Sequence, residues 1–186
     1  EIGDVDEFDV SAPVDTLIAI NQVHENLAIG TQIGLATFSF DTDATNNNVS
    51  YSLTDDAGGR FAIDSVTGVV TTAAMLDFEA RSNWNITVQS LSEDGSTATS
   101  NFTVAVLNVF ERPVGVSDVY VTSYIDDVVL TGTGLLANDF DPDGDGVSAV
   151  LVSGPARGTL VSSLANGGLR YTPERFRHRH FRFADH

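Results

Sequence analysis

Seven short segments of alternating character constrain this chain more than any other feature. Thr16–Val23, Ile33–Phe40, Val49–Leu53, Arg60–Ile63, Val69–Thr72, Trp84–Leu91 and Ser100–Val109 are rich in β-branched and apolar residues, largely at alternate positions. Asp, Gly and Asn fill the gaps between them. A period of two sends successive side chains to opposite faces of a strand, so each segment is predicted as a half-buried strand. Seven such strands in about a hundred residues predict an all-β, two-sheet Greek-key sandwich. The alternation also names a core. Trp84, Ile86 and Val88 share one face, Phe102, Val104 and Val106 another, and Phe61 pairs with Ile63. Helical periodicity is weak throughout.

Charge narrows the function. The 186 residues carry 26 acids against 9 bases, a net charge of -17. There is no Lys and no Cys, and five of the nine Arg (Arg170, Arg175, Arg177, Arg179 and Arg182) fall in the last 17 residues. Without Cys there are no disulfides, no thiol catalysis and no zinc–thiolate sites. So acidic a body repels phosphates, and no nucleic-acid partner is expected. It suits hard cations or a saline exterior. Nineteen of the acids are Asp, which favours turns, so the excess points to liganding loops rather than to solvated helix faces. No run of about 18 apolar residues predicts a membrane span. No basic-then-apolar leader opens the chain, which reads as a piece of something longer. Catalysis by paired carboxylates needs a cleft and a substrate platform, and no His has an evident Ser or Asp partner, so no enzyme is expected.

A faint internal repeat suggests two modules. Asp4-Val5-Asp6-Glu7 resembles Asn108-Val109-Phe110-Glu111, and Ser39-Phe40-Asp41-Thr42-Asp43 resembles Ala137-Asn138-Asp139-Phe140-Asp141. The boundary is placed at Arg112-Pro113, giving a preceding tail over 1–13, a first module over 14–113 and a partial second over 114–186. Acids stand at the strand ends, Glu25, Asp41, Asp43, Asp77 and Glu79, and the module end adds Asn108 and Glu111. In a sandwich such ends gather at two poles, and calcium takes about six to eight oxygens, several from carboxylates.

Residues 14–113 resemble a cadherin repeat of the bacterial kind. The matching motifs are Val23-His24-Glu25-Asn26, Asp41-Thr42-Asp43, Phe61-Ala62-Ile63-Asp64, Thr67-Gly68-Val69-Val70-Thr71 and Leu76-Asp77-Phe78-Glu79. Trp84-x-Ile86-x-Val88-x-Ser90 and Phe102-x-Val104-x-Val106-x-Asn108 follow. The resemblance implies calcium between consecutive repeats. One junction would use Glu25, Asp77, Glu79, Asn108, Glu111, Asp139 and Asp141. The other would use Asp4, Asp6 and Glu7 with Asp41 and Asp43, and would bind weakly without its upper repeat. Asn108 and Phe110 stand where the family favours ligands of greater charge or oxygen count. The implied function is a calcium-binding structural or adhesive module of a large bacterial cell-surface or secreted protein. Calcium would stiffen its junctions, and its partners would be other repeats, a second copy, or surface polysaccharide and protein.

Residues 114–186 resemble a tandem sandwich repeat of large bacterial surface proteins through Gly134-Leu135-Leu136-Ala137-Asn138-Asp139-Phe140-Asp141-Pro142-Asp143-Gly144-Asp145 and Tyr171-Thr172-Pro173. The likeness fails after Pro173, where Arg and His replace small polar residues, so the module is expected to be incomplete and less stable. Asp143 and Asp145 add candidate ligands, although position 12 of an EF-hand frame would fall on Val152 and that frame fails. The rival function is a carbohydrate-binding or spacer module of a secreted hydrolase, with Tyr51, Tyr120 and Tyr124 as platform residues.

Overall fold

The computed structural model describes residues 9–42, 47–123, 125–161 and 166–174. The chain divides into two compact units, residues 1–109 and 110–186. The division falls after Val109, slightly ahead of the expected Arg112-Pro113 boundary.

The described residues of the first unit hold eight strands: β1 (Val14–Asp15), β2 (Gln22–His24), β3 (Gln32–Phe38), β4 (Val49–Asp55), β5 (Phe61–Ile63), β6 (Val69–Thr72), β7 (Asn83–Ser92) and β8 (Thr97–Leu107). They form two four-stranded sheets, ordered β1-β3-β6-β5 and β2-β8-β7-β4. Val69–Thr72 is a strand residue for residue, and five other predicted segments recur with shifted ends. The exception is Thr16–Val23, which is not one strand. β1 pairs antiparallel with β3, whereas β2 pairs in parallel with β8, Val23 opposite Val106. The chain crosses from one sheet to the other between them, and the Asp15 carboxylate accepts the Leu17 N–H at 3.0 Å in the crossing. Alternation alone carries no sign of such a change of sheet.

The core fills the space between the sheets. Val23, Ile33, Leu35, Phe61, Val70, Leu76, Ile86, Val104 and Val106 form one buried cluster, with Trp84, Phe102 and Ile63 partly buried against it. Burying a side chain of this size stabilises a fold by roughly 1.5–3 kcal/mol. Residues ahead of β1 join the same unit. Val10 and Pro13 are buried, the Ser11 N–H donates to the Phe40 carbonyl at 2.9 Å, and the Phe40 N–H donates to Ser11 Oγ at 2.9 Å. The part of the expected tail that is described, from residue 9 on, therefore packs on the first unit.

The β5–β6 turn shows how local chemistry sets the strands. Asp64 Oδ1 accepts the Val66 N–H at 3.0 Å, the Thr67 N–H at 2.8 Å and the Thr67 hydroxyl at 2.9 Å, and so caps the turn. Gly68 closes the turn at φ +68°, where a Cβ would lie 2.2 Å from the Thr37 carbonyl oxygen. The Thr67 N–H, then its hydroxyl, then the Val66 N–H hold the Asp64 carboxyl below the usual carboxylate range.

The second unit contains β9 (Val128–Leu130), β10 (Thr159–Val161) and β11 (Leu169–Thr172), antiparallel in the order β10-β11-β9. A 3₁₀ turn at Gly134–Leu136 and a bridge between Val114 and Phe140 complete it. Arg170 clasps Asp127, with Nε and Nη2 both donating to Oδ2. Among the described residues of this unit no hydrophobic side chain is buried, and Val121 and Val152 are more than 90% exposed. No helix among the described residues is long and apolar enough to cross a membrane.

Three outcomes are expected. Ile86→Ala removes a fully buried side chain and should cost about 2–5 kcal/mol in denaturant unfolding. Amides around Val121 and Val152 should exchange with solvent far faster than those of β7 and β8, as hydrogen-exchange mass spectrometry would show. Asp64 has a depressed folded pKa, so its contribution is full above the ordinary carboxylate value and is lost as pH falls through the folded one. Asp64→Asn should therefore lose less stability than the parent across that acid window in a pH series of melts.

Candidate metal centre

The pole of the first unit where the chain leaves at Val109 gathers three segments. Glu25 follows β2, Asp77 and Glu79 lie in the loop between β6 and β7, and Asn108 follows β8. Each has a local reason to be there. The Glu25 N–H donates to the Leu107 carbonyl at 3.0 Å, which extends the β2–β8 pairing by one residue. Leu76 is buried in the core and its carbonyl accepts the Asn26 N–H at 3.1 Å, which pins the loop against the end of β2. Asp77 Oδ1 accepts the Ala80 N–H at 2.9 Å, and the Asp77 carbonyl accepts the Arg81 N–H at 3.1 Å, so the loop closes on itself.

Glu25 is the anchor. Its side chain is 2% exposed, an unusual place for a carboxylate. Both oxygens are satisfied by backbone donors: Oε2 accepts the Phe78 N–H at 2.7 Å and Oε1 accepts the Val109 N–H at 2.9 Å. Asp77 and Glu79 are exposed beside it, and one carboxylate oxygen from each of Glu25, Asp77 and Glu79 lies within 4.8 Å of the others. No Arg forms an ion pair with Glu25 or Asp77 among the described residues.

This donor set suits a hard divalent cation. Every donor atom in the group is a carboxylate oxygen, with no Cys thiolate or His nitrogen, which favours calcium over zinc or copper. Separations within 4.8 Å are compatible with two oxygens sharing one ion at about 2.3–2.6 Å each. The N–H bonds to Glu25 fix its orientation as outer-shell donors fix a ligand. Asn108 differs from the expectation: its Nδ2 donates to Glu79 Oε1 at 3.0 Å, so nitrogen rather than oxygen faces the cluster. The amide must turn about its last torsion to present Oδ1.

Asp41 is half-buried near the opposite end of β3, while Asp4, Asp6, Glu7 and Asp43 lie outside the described residues. In the second unit, the Val116 N–H donates to Asp139 Oδ1 at 2.7 Å and the Asp143 N–H to Asp141 Oδ1 at 3.0 Å. The Glu111 N–H donates to Asp143 Oδ2 at 2.7 Å, and Asp143 Oδ1 is buried without a hydrogen-bond partner. Asp145 is exposed. The expected sugar platform loses a member, because Tyr51 is buried and its hydroxyl accepts the Ser39 N–H at 2.8 Å. Tyr120 is partly exposed and donates to Asp118, and Tyr124 is outside the described residues.

The cadherin-domain family model matches residues 21–109 and the bacterial Ig domain model matches residues 111–183. Protocadherin-23 of Homo sapiens is 31% identical over 114 residues, which is 61% of this chain and 3% of that protein. Cadherin-17 of Rattus norvegicus is 37% identical over 93 residues, 49% of this chain and 11% of that protein. The chain thus spans a small part of the relatives it matches. Among solved structures, mouse cadherin-23 EC22-24 is similar with a TM-score of 0.54 at 22% identity, over 94% of this chain and 57% of that one. Protocadherin gamma B7 extracellular cadherin domains 1-4 gives 0.52 at 20% identity, over 93% and 43%. At these identities the structural likeness speaks for the fold alone. The chain is thus similar to a cadherin domain over residues 21–109, followed by a bacterial Ig domain over residues 111–183.

Proposed function

We propose that this chain is a calcium-binding structural and adhesive segment of a larger extracellular protein, with the cation held by Glu25, Asp77 and Glu79. The carrying observation is the approach of three carboxylates to within 4.8 Å, one of them buried and fixed by two backbone N–H groups. Like charges so close repel one another, and a divalent cation turns the repulsion into attraction. Glu25 is bonded to the Val109 N–H, so an ion here stiffens the point at which the chain leaves the cadherin domain. A run of such domains, stiffened in this way, would hold an adhesive surface away from its anchor. A bacterial surface protein is the host that the neighbouring Ig-type match favours.

Calcium binds the folded site and hardly the unfolded chain, so it should raise the melting temperature. With an affinity of about 0.1 mM, 10 mM calcium would add roughly 2.7 kcal/mol, an upward shift on the order of 10 °C for a domain of this size. Melts in EDTA, in a calcium series and in magnesium test this; no calcium-specific shift contradicts it. Two variants separate ligation from folding. Glu79→Gln should remove most of the calcium increment and leave the EDTA melt almost unchanged. Glu25→Gln sets an amide NH₂ against a backbone N–H and should lower the melt even in EDTA, by about 1–3 kcal/mol for the buried donor left unpaired.

A further inference from the structure

Within residues 1–109 the sequence has 16 acids and only two basic side chains that carry full charge at neutral pH, Arg60 and Arg81. Both stack on the same ring. The Arg60 guanidinium carbon lies 4.1 Å from the Trp84 ring centroid and that of Arg81 lies 4.6 Å from it. The two cations are therefore at most about 9 Å apart, comparable with the screening length of about 8 Å in physiological salt. Neither forms an ion pair with a described residue. The acids nearest Arg60 in sequence are committed elsewhere: Asp55 Oδ1 accepts the Ala57 N–H at 2.9 Å and Asp56 Oδ1 accepts the Gly59 N–H at 2.8 Å.

The cations are also held in place. Arg60 Nη1 donates to the Ala57 carbonyl at 3.0 Å and Arg81 Nε to the Asn83 carbonyl at 2.9 Å, which leaves other N–H donors on each guanidinium without a partner among the described residues. Trp84 Nε1, a donor only, is buried with no partner. Stacking explains why a half-buried Trp is covered by Arg. It does not explain why so acidic a domain puts both of its cations together and pairs neither with a described carboxylate.

We infer that Arg60, Trp84 and Arg81 form a carboxylate-binding site that takes an acidic turn from a second copy of this chain. Guanidinium forks match planar carboxylates, and like Arg charges near one another gain most from an anion between or beside them. The chain itself supplies that chemistry at Asp145, the exposed end of the run Asp141-Pro142-Asp143-Gly144-Asp145. Two copies at a net charge of -17 each repel at long range, so a local pairing of this kind tells in salt, where the general repulsion is screened. The contact rests on the adhesive function proposed for the chain, but its test does not involve calcium.

Trp84 is the chain's only Trp, so its fluorescence reports on the site directly. In EDTA and physiological salt, the full chain is titrated with the peptide Asp-Pro-Asp-Gly-Asp, with Asn-Pro-Asn-Gly-Asn as control and an oligouronate as a third arm. Sedimentation over a concentration series follows self-association in parallel. The expected result is a saturable change in Trp84 emission with the acidic peptide only, and weak self-association of the chain. Arg81→Gln, at an exposed position, should weaken both by about tenfold, and Arg81→Lys should restore them only in part because it lacks the planar fork. The calcium-dependent melt should persist in both variants. Unchanged emission at millimolar peptide, or self-association indifferent to Arg81→Gln, overturns the inference. A response to oligouronate alone assigns the site to a glycan and overturns the second copy as occupant.

Discussion

The buried carboxylate of Glu25 is the interaction on which the acidic pole of the first unit depends. A charge removed from water is tolerated only where donors replace the lost hydration. Here the Phe78 and Val109 N–H groups do so, one from the β6–β7 loop and one from the chain leaving β8. One side chain thus ties together the end of β2, the acidic loop and the exit of the domain. Asp77 and Glu79 owe their positions to that tie, since the loop that carries them is held from both sides, by Leu76 in the core and by Glu25 at the pole.

The two units handle their apolar residues differently. In the first, alternation on β7 and β8 sends Ile86, Val88, Val104 and Val106 inward, and the two sheets close over them. In the second, three short strands leave valines such as Val121 and Val152 in solvent. The hydrophobic effect scales with the area removed from water, so the first unit carries most of the folding free energy of the described chain.

Much of this is legible in the sequence because it is local. Period-two alternation gave the strands and the core face, and the Asp, Gly and Asn between the segments gave the turns. The acids Glu25, Asp77 and Glu79 stand at strand ends, where a sandwich collects its loops, and the structure brings them together. What stayed hidden depends on tertiary geometry. The break between β1 and β2 follows from each half pairing with a different sheet. The nitrogen-first orientation of Asn108 is set by Glu79, far away in sequence. Tyr51 reads as a surface aromatic until Ser39 is found bonded to its hydroxyl. The stacking of Arg60 and Arg81 on Trp84 joins residues from separate loops, and no spacing rule foretells it.

The central claim is that a cation binds where Glu25 anchors the pole. The Phe78 and Val109 amides report it most directly, because both donate to the Glu25 carboxylate. A calcium titration followed by two-dimensional amide NMR should move these two resonances and those of Asp77–Ala80 together, along one saturable curve, with β6 unaffected. Calcium binding that moves other amides and leaves Phe78 and Val109 in place would contradict the account.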